Sequence, residues 1–469
     1  MFMRMIYDES LAQAAYLIGC QRSGEAILFD PLRDVDQYLD LAAANGLTIV
    51  AVAETHIHAD FVSGARELAS RVDAWVYVSG EGGSDWRSKW LKGFNAVELR
   101  DGERFSIGNI AFEVLHTPGH TPEHICYLVT DGGVDATEPI GLISGDFLFV
   151  GDVGRPDLLE TAAGHAGTMK AGARDLHRSL ARLVGLPEFL QVWPGHGAGS
   201  ACGKSLGAVP MSTVGYERRF NPAIKHAGSE SGFVDFILEG QPEPPMYFAD
   251  MKRLNRDGPP VLGSLPAPKR ISAADASAID PKVVTVIDTR SWEDFSAGHL
   301  PGSLSLPLGT SFPTDAGSMV GVDDRICLII DEPDLADTIR QLIRIGCDRI
   351  ESWCPAAELT GSAGASEMVR ECEVSELKDA LGAGGATVLD VRRRTEFDAG
   401  HIPGAANISH TRLRGRMDEV PEGEPIYVSC RSGKRSARAS AYLLRAGRSV
   451  VNVRGGWLAW EKAGGAVEH

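Results

Sequence analysis

A chain of 469 residues, 43% apolar and 23% charged, has the composition of an ordinary globular protein and the length for two or more domains. Its net charge of −17, from 46 basic and 63 acidic residues, excludes nucleic acid as the expected partner, because no basic run is available to neutralise phosphates. No apolar stretch approaches the length that crosses a bilayer, and residues 1–7 lack a signal-peptide core, so a cytoplasmic protein with no membrane partner is expected.

Residues 5–47 alternate strand and turn signals and end in a helix over 35–45. The run 47–53, rich in Val and Ile, reads as a buried strand, and 61–71 as a helix. Between them stand Thr55-His56-Ile57-His58-Ala59-Asp60. Two imidazoles and a carboxylate on one strand-to-helix loop can converge on a cation. A polar connector over 79–98 carries two tryptophans, and 113–116 leads into Thr117-Pro-Gly-His120. A strand over 140–144 ends in Ser144-Gly-Asp146. Residues 152–177 read as mostly irregular, with a helix over 174–184, and a strand over 189–193 ends in Pro194-Gly-His196. Each of the last three sites places a metal-capable side chain just past a strand, beside glycine, where the backbone is least crowded. A helical segment over 211–225 follows, then proline-rich stretches at 241–245 and 257–268. The second of these is the expected domain boundary.

Beyond it the chain repeats. Asp288-Thr-Arg290, Phe295 and Gly298-His-Leu-Pro-Gly302 return 102 residues later as Asp390-Val-Arg392, Phe397 and Gly400-His-Ile-Pro-Gly404. Each copy has the length of a small α/β domain. The Asp and Arg of each copy are expected to pair at a strand end. The copies are not equivalent in chemistry. In the second, a strand over 425–429 ends in Cys430-Arg-Ser-Gly-Lys-Arg-Ser436, ahead of a helix over 437–446. A thiol opening a tight loop at a helix N-terminus faces several N–H groups and the positive end of the dipole, which favours thiolate. Arg431, Ser432, Gly433, Lys434 and Arg435 form the expected cradle for the outer sulfur of a Cys430 persulfide. In the first copy the matching position is Asp331, in an acidic and shorter loop, so that copy is expected to be inactive. The eight cysteines are scattered without a Cys-x-x-Cys pair, which argues for reduced thiols rather than a disulfide framework.

The four strand-end motifs, in this order, resemble the metallo-β-lactamase superfamily. Members that hydrolyse with two metals carry His-x-His-x-Asp-His; here the last position is Phe61, which cannot ligate. The branch that fits resembles the persulfide dioxygenases, which are related to glyoxalase II. That resemblance implies one Fe(II) per chain held by His56, His120 and Asp146, with zinc as an alternative or mis-loaded metal. It implies supporting roles for His58, Asp60 and His196. Arg155, in Gly151-Asp-Val-Gly-Arg155-Pro-Asp157, is a fork for substrate or else a structural arginine. Cys202 is a persulfide carrier or else a packing residue, and packing is the preferred reading. Tyr216-Glu-Arg-Arg-Phe-Asn-Pro222 also looks like this branch.

The repeated half resembles rhodanese domains. The expected architecture is therefore α/β throughout. An αβ/βα metallo-β-lactamase-type sandwich over 1–255 and a linker over 256–269 precede two parallel-sheet rhodanese-type domains, inactive over 270–364 and active over 371–469, joined by the Ala/Gly/Ser stretch 360–366. The resemblance implies oxidation of a small thiol persulfide by O2 to sulfite and thiol, a reaction of sulfide detoxification. Sulfur transfer through Cys430 to sulfite would then give thiosulfate. A homo-oligomer is expected, with the inactive copy offering an interface. The thiol carrier stays open. Two alternatives remain: a glyoxalase II-type zinc thioester hydrolase, and a non-catalytic sulfane-sulfur binding or sensing protein.

Overall fold

The computed structural model describes residues 1–134, 136–161, 167–204, 206–241, 243–359 and 366–469. It divides into two compact units, one of Met1–Pro244 with Phe248–Ser264, the other of Pro245–Tyr247 with Leu265–His469.

The first unit is built on two six-stranded mixed sheets. One runs in chain order, Phe2–Asp8, Gln13–Cys20, Glu25–Phe29, Thr48–Ala53, Trp75–Ser79, Ala96–Leu99. Its pairs are antiparallel up to Glu25–Phe29 and parallel beyond. The other runs Ser212–Thr213, Gln191–Pro194, Gly141–Gly145, Ile125–Asp131, Ile110–His116, Arg104–Ile107. The facing sides close on an aromatic core in which the Phe29 ring lies 5.0 Å from Tyr127 and 5.4 Å from Phe112. On the outer side of the second sheet, Phe147, Leu176, Leu180 and Phe233 form a further core under the helices Met169–Leu180 and Glu230–Leu238. This is the expected sandwich. Its motif loops all leave at strand ends: those of His56, Asp146 and His196 follow strands with a parallel neighbour, that of His120 a strand antiparallel to both neighbours.

Two local expectations shift. The helix expected over 174–184 begins earlier, at Met169–Leu180, and passes into a 3₁₀ turn at Ala181–Gly185. The helix expected over 61–71 starts at Ala65. Residues before it are held instead by Asn255, which accepts the Ser63 N–H at 2.8 Å and donates to the Phe61 and His58 carbonyls at 2.7 and 2.8 Å. The proline-rich stretch is not a free connector over its first half. Gly258, Pro259 and Pro260 accept hydrogen bonds from Arg66 and Arg33 through their carbonyls, and Glu67 accepts the N–H groups of Leu262 and Gly263.

The second unit holds two five-stranded parallel sheets with the same strand order. The repeated residues do the same work in each. Arg290 pairs with Asp288 at 2.6 Å and caps the Gly298 carbonyl, as Arg392 pairs with Asp390 at 2.7 Å and caps that of Gly400. His299 stacks on Phe295 at 3.9 Å, and His401 on Phe397 at 3.6 Å. The two copies are stitched by buried polar contacts. Arg445 donates to the Gly302 and Pro281 carbonyls, and Asp315 meets both Arg438, at 2.8 Å, and His410, at 3.2 Å. The expected join 360–366 lies outside the described residues apart from Ser366. Among the described residues, no helix is long and apolar enough to cross a membrane.

Candidate metal centre and sulfur-transfer loop

Three strand-end loops of the first unit bring His56, His120 and Asp146 together. One ligand atom from each lies within 4.8 Å of the others, and all three side chains are buried. Asp146 Oδ2 stands 3.5 Å from His120 Nε2 and 4.0 Å from His56 Nε2. The tautomers follow from the partners. His120 Nδ1 lies 2.9 Å from the Arg155 carbonyl, which only accepts, so Nδ1 carries the proton. Thr55 Oγ1 donates to Asp30 at 2.9 Å and therefore accepts from His56 Nδ1 at 2.9 Å. Both Nε2 lone pairs are thus left for a cation. Burial holds both imidazoles below their ordinary value, His56 well below, so they stay neutral as ligands must. Burial alone would raise the Asp146 carboxyl, but His196, His120 and His56 outweigh it and hold it well below the usual carboxylate range. Its Oδ2 is buried without a hydrogen-bond partner. Two neutral imidazoles and an unsatisfied carboxylate oxygen fit one divalent metal ion, since burying that oxygen unpaired is otherwise costly.

The remaining motif residues divide. His196 bridges two carboxylates, Asp146 Oδ1 at 2.7 Å from Nδ1 and Asp60 Oδ2 at 2.7 Å from Nε2. Burial works against its protonation, but Asp146 and Asp60 push its pKa well above the ordinary value. His58 turns away, its Nε2 3.1 Å from Asp30 and its ring 4.4 Å from the buried Phe61 ring. The spacing i, i+2 thus sends the two histidines of the first motif to different partners. Asp60, His196 and Cys202 form a second buried group with ligand atoms within 4.8 Å. The preferred reading of Cys202 as a packing residue is therefore incomplete, since its thiol reaches the site. Burial, then Asp60 and Asp146, push that thiol well above its ordinary pKa, so it is no ready nucleophile.

Arg155 as a substrate fork is corrected. Its guanidinium is fully buried and already forked onto Asp157, at 2.8 and 2.6 Å, with Nη1 on the Ala201 carbonyl at 3.2 Å. Its backbone ties two loops, accepting from His120 and donating to the Cys202 carbonyl at 3.0 Å.

Several residues of this centre escape a motif reading. Asp30 accepts the Thr55 N–H at 2.8 Å and so orients the His56 loop. His124 accepts the Asp146 N–H at Nε2, 3.0 Å, and sits four residues after His120, a spacing that offered a signal. Glu123 accepts the Ile57 N–H at 2.9 Å, and burial raises its pKa to about 7. Lys252 Nζ lies 3.6 Å over the Trp86 ring, its pKa lowered to about 8 by burial. With Gly119 and Pro122 these two line a cavity of about 590 Å³. Gly154 lets the loops close: a Cβ there would stand 1.8 Å from the Asp146 carbonyl oxygen and 3.1 Å from His120 Cβ. Gly154→Ala is expected to cost about 3 kcal/mol by displacing backbone and to impair metal retention, as thermal unfolding and metal content will report.

In the second unit, Cys430 follows the strand Ile426–Ser429 and precedes the helix Lys434–Arg445. Gly433, at φ +97°, donates its N–H to Cys430 Sγ at 3.1 Å. Arg431, Ser432 and Lys434 are exposed around it. Arg435 is not free for substrate as expected, because its guanidinium forks onto Glu396 at 2.7 and 2.8 Å. In the other copy Asp331 stands at the matching strand end, directly before the helix Glu332–Arg344.

Comparison with known proteins agrees with this layout. The Metallo-beta-lactamase superfamily profile matches residues 10–196, and the Rhodanese-like domain profile matches 373–463. A metallo-beta-lactamase crystal structure from Staphylococcus aureus is 40% identical, covers 76% of this chain and 99% of its own, and superposes with a TM-score of 0.68. A probable metallo-hydrolase, YqgX of Bacillus subtilis, is 30% identical over 41% of this chain and 89% of its own length. The human mitochondrial persulfide dioxygenase ETHE1 is 26% identical over 47% of this chain and 75% of its own.

Proposed function

Since the chain belongs to the metallo-β-lactamase superfamily and carries a rhodanese-like domain after that fold, we propose that it is a persulfide dioxygenase coupled to a sulfurtransferase. The observation that carries this reading is the donor set: two histidine lone pairs and one orphaned carboxylate oxygen, while Phe61 stands at the sequence position where two-metal members carry a further histidine. That set suits one ferrous ion, which when bound supplies the redox chemistry that dioxygen requires. The reaction is R–S–SH + O2 + H2O → R–SH + SO3²⁻ + 2H⁺. The chain's own residues set its conditions. His120 and His56 are locked by Arg155 and Thr55, and the buried Phe61 ring packs on His58. His196 holds a proton between Asp60 and Asp146. In the second step sulfite attacks the outer sulfur of a Cys430 persulfide, the S–S bond breaks, and thiosulfate leaves as the Cys430 thiol is restored. The copy with Asp331 has no nucleophile for this step. Cytoplasmic location and self-association belong to the same proposal.

One observation favours a second reading. Asp60, His196 and Cys202 are themselves spaced for a cation, which suits a two-metal hydrolase, and one relative is named a probable metallo-hydrolase. The two are separated by measuring dioxygen uptake with glutathione persulfide on iron-loaded protein and thioester hydrolysis on zinc-loaded protein. Rapid uptake with sulfite as product is expected; hydrolysis without uptake sinks the dioxygenase reading.

A further inference from the structure

Between the two copies of the second unit lies a cavity of about 950 Å³. One wall comes from the copy with Asp331 at the loop position, through Trp292, Ser305 and Leu308; the other comes from the Cys430 copy, through Gly433, Lys434 and Asn452. Gly433 is also the residue whose N–H meets Cys430 Sγ at 3.1 Å. The cavity therefore reaches the sulfur cradle, and half of it is furnished by the copy that carries Asp331 at the loop position.

Its size and lining identify the kind of ligand. Sulfite or thiosulfate fills only a few water volumes of about 30 Å³ each, whereas a cavity of this size suits an organic molecule. Ser305 is 1% and Asn452 2% exposed, and each has a side-chain oxygen without a hydrogen-bond partner. Asn452 Nδ2 donates to Glu371 at 2.9 Å, which assigns the unsatisfied atom as the Oδ1 acceptor. An acceptor in that state calls for an N–H or O–H donor on the ligand, which an amide N–H supplies. Trp292 and Leu308 add apolar surface. The Trp292 ring is fixed, since its Nε1 donates to the same Glu371 at 2.8 Å, and Arg454 holds the other Glu371 oxygen at 3.0 Å. The wall is thus rigid and ties the two copies together.

We infer that this cavity receives an amide-bearing, low-molecular-weight thiol persulfide, and that the copy with Asp331 in place of the loop cysteine is the specificity wall of the sulfurtransferase site. The inference rests on the sulfurtransferase reading of Cys430. The Cys430 thiolate attacks the outer sulfur of R–S–SH. A Cys430 Sγ–S bond forms, the S–S bond of the donor breaks, and its electron pair leaves on R–S⁻. The outer sulfur keeps its proton, and one S–S bond replaces another, so no oxidant is needed.

The test follows sulfur loading of Cys430 in the full-length protein by mass spectrometry in a single turnover, with glutathione persulfide and with inorganic thiosulfate as donors. Leu308→Trp, which fills the cavity from the side of the Asp331 copy, is expected to lower the glutathione persulfide to thiosulfate rate ratio about tenfold. Ser305→Ala, which removes one oxygen and adds no bulk, is expected to move the ratio in the same direction and serves if Leu308→Trp does not fold. A ratio unchanged in both variants, with wild-type Cys430 still loaded, overturns the inference alone. Wild-type Cys430 that takes sulfur from neither donor overturns the sulfurtransferase reading beneath it.

Discussion

Asp146→Asn is expected to lose its metal and to retain less than about one hundredth of the dioxygen uptake. Asp146 is the one ligand that faces two ways. Oδ2 is the orphaned oxygen between the histidine lone pairs, and Oδ1 holds His196 Nδ1 at 2.7 Å. An amide cannot serve both sides, and it removes the charge that balances His196. Leaving a buried partner uncompensated costs about 3–5 kcal/mol. The metal-free protein will show the same loss in its pH profile. The Asp146 carboxyl is held well below its unfolded value, so its contribution is complete above about pH 4 and disappears as pH falls through the folded pKa. His196 is raised well above its unfolded value, so its contribution is complete below about pH 6.5 and disappears as pH rises through the folded pKa. Urea unfolding of metal-stripped wild type should therefore give a stability plateau between these limits. The Asn variant should lose the acid limb and much of the alkaline one. A variant that keeps stoichiometric metal and full uptake would remove Asp146 from the centre.

Cys430→Ser is expected to reduce thiosulfate formation to below about 1% while leaving dioxygen uptake within about twofold. A serine hydroxyl at the Gly433 N–H cannot accept sulfane sulfur, because it is neither an adequate nucleophile nor able to form an S–S bond. The metal centre lies wholly in the other unit, so its turnover should continue and sulfite should accumulate in place of thiosulfate. Quantifying both anions during uptake checks this. Thiosulfate at the wild-type rate would show that it forms without Cys430.

The motifs carried much of this in plain view, since a strand-end histidine or aspartate needs only local chemistry to be noticed. Order along the chain then pointed to the sandwich, and the 102-residue repeat pointed to two related α/β copies. Less visible were the groups that decide what each motif residue does. Asn255 lies 197 residues from the His58 carbonyl that it holds, and Asp30 lies 28 residues from the His58 ring. Neither sits in a pattern. Arg155 and Arg435 looked like open forks because a guanidinium's preference for a carboxylate is clear from residue type, whereas which carboxylate arrives is not. Asp157 and Glu396 arrived first.

Residue types and their spacing were thus sufficient for the superfamily, the two sheet classes, and the split between a copy with Cys430 and a copy with Asp331. These are properties of strand ends and tight turns, where a few neighbours dictate backbone and chemistry. The partner of each histidine, the place of Cys202 beside Asp60 and His196, and the cavity shared by Ser305 and Asn452 were decided by packing alone. Such contacts join residues far apart in the chain, and their geometry exists only once sheets and loops have closed around them.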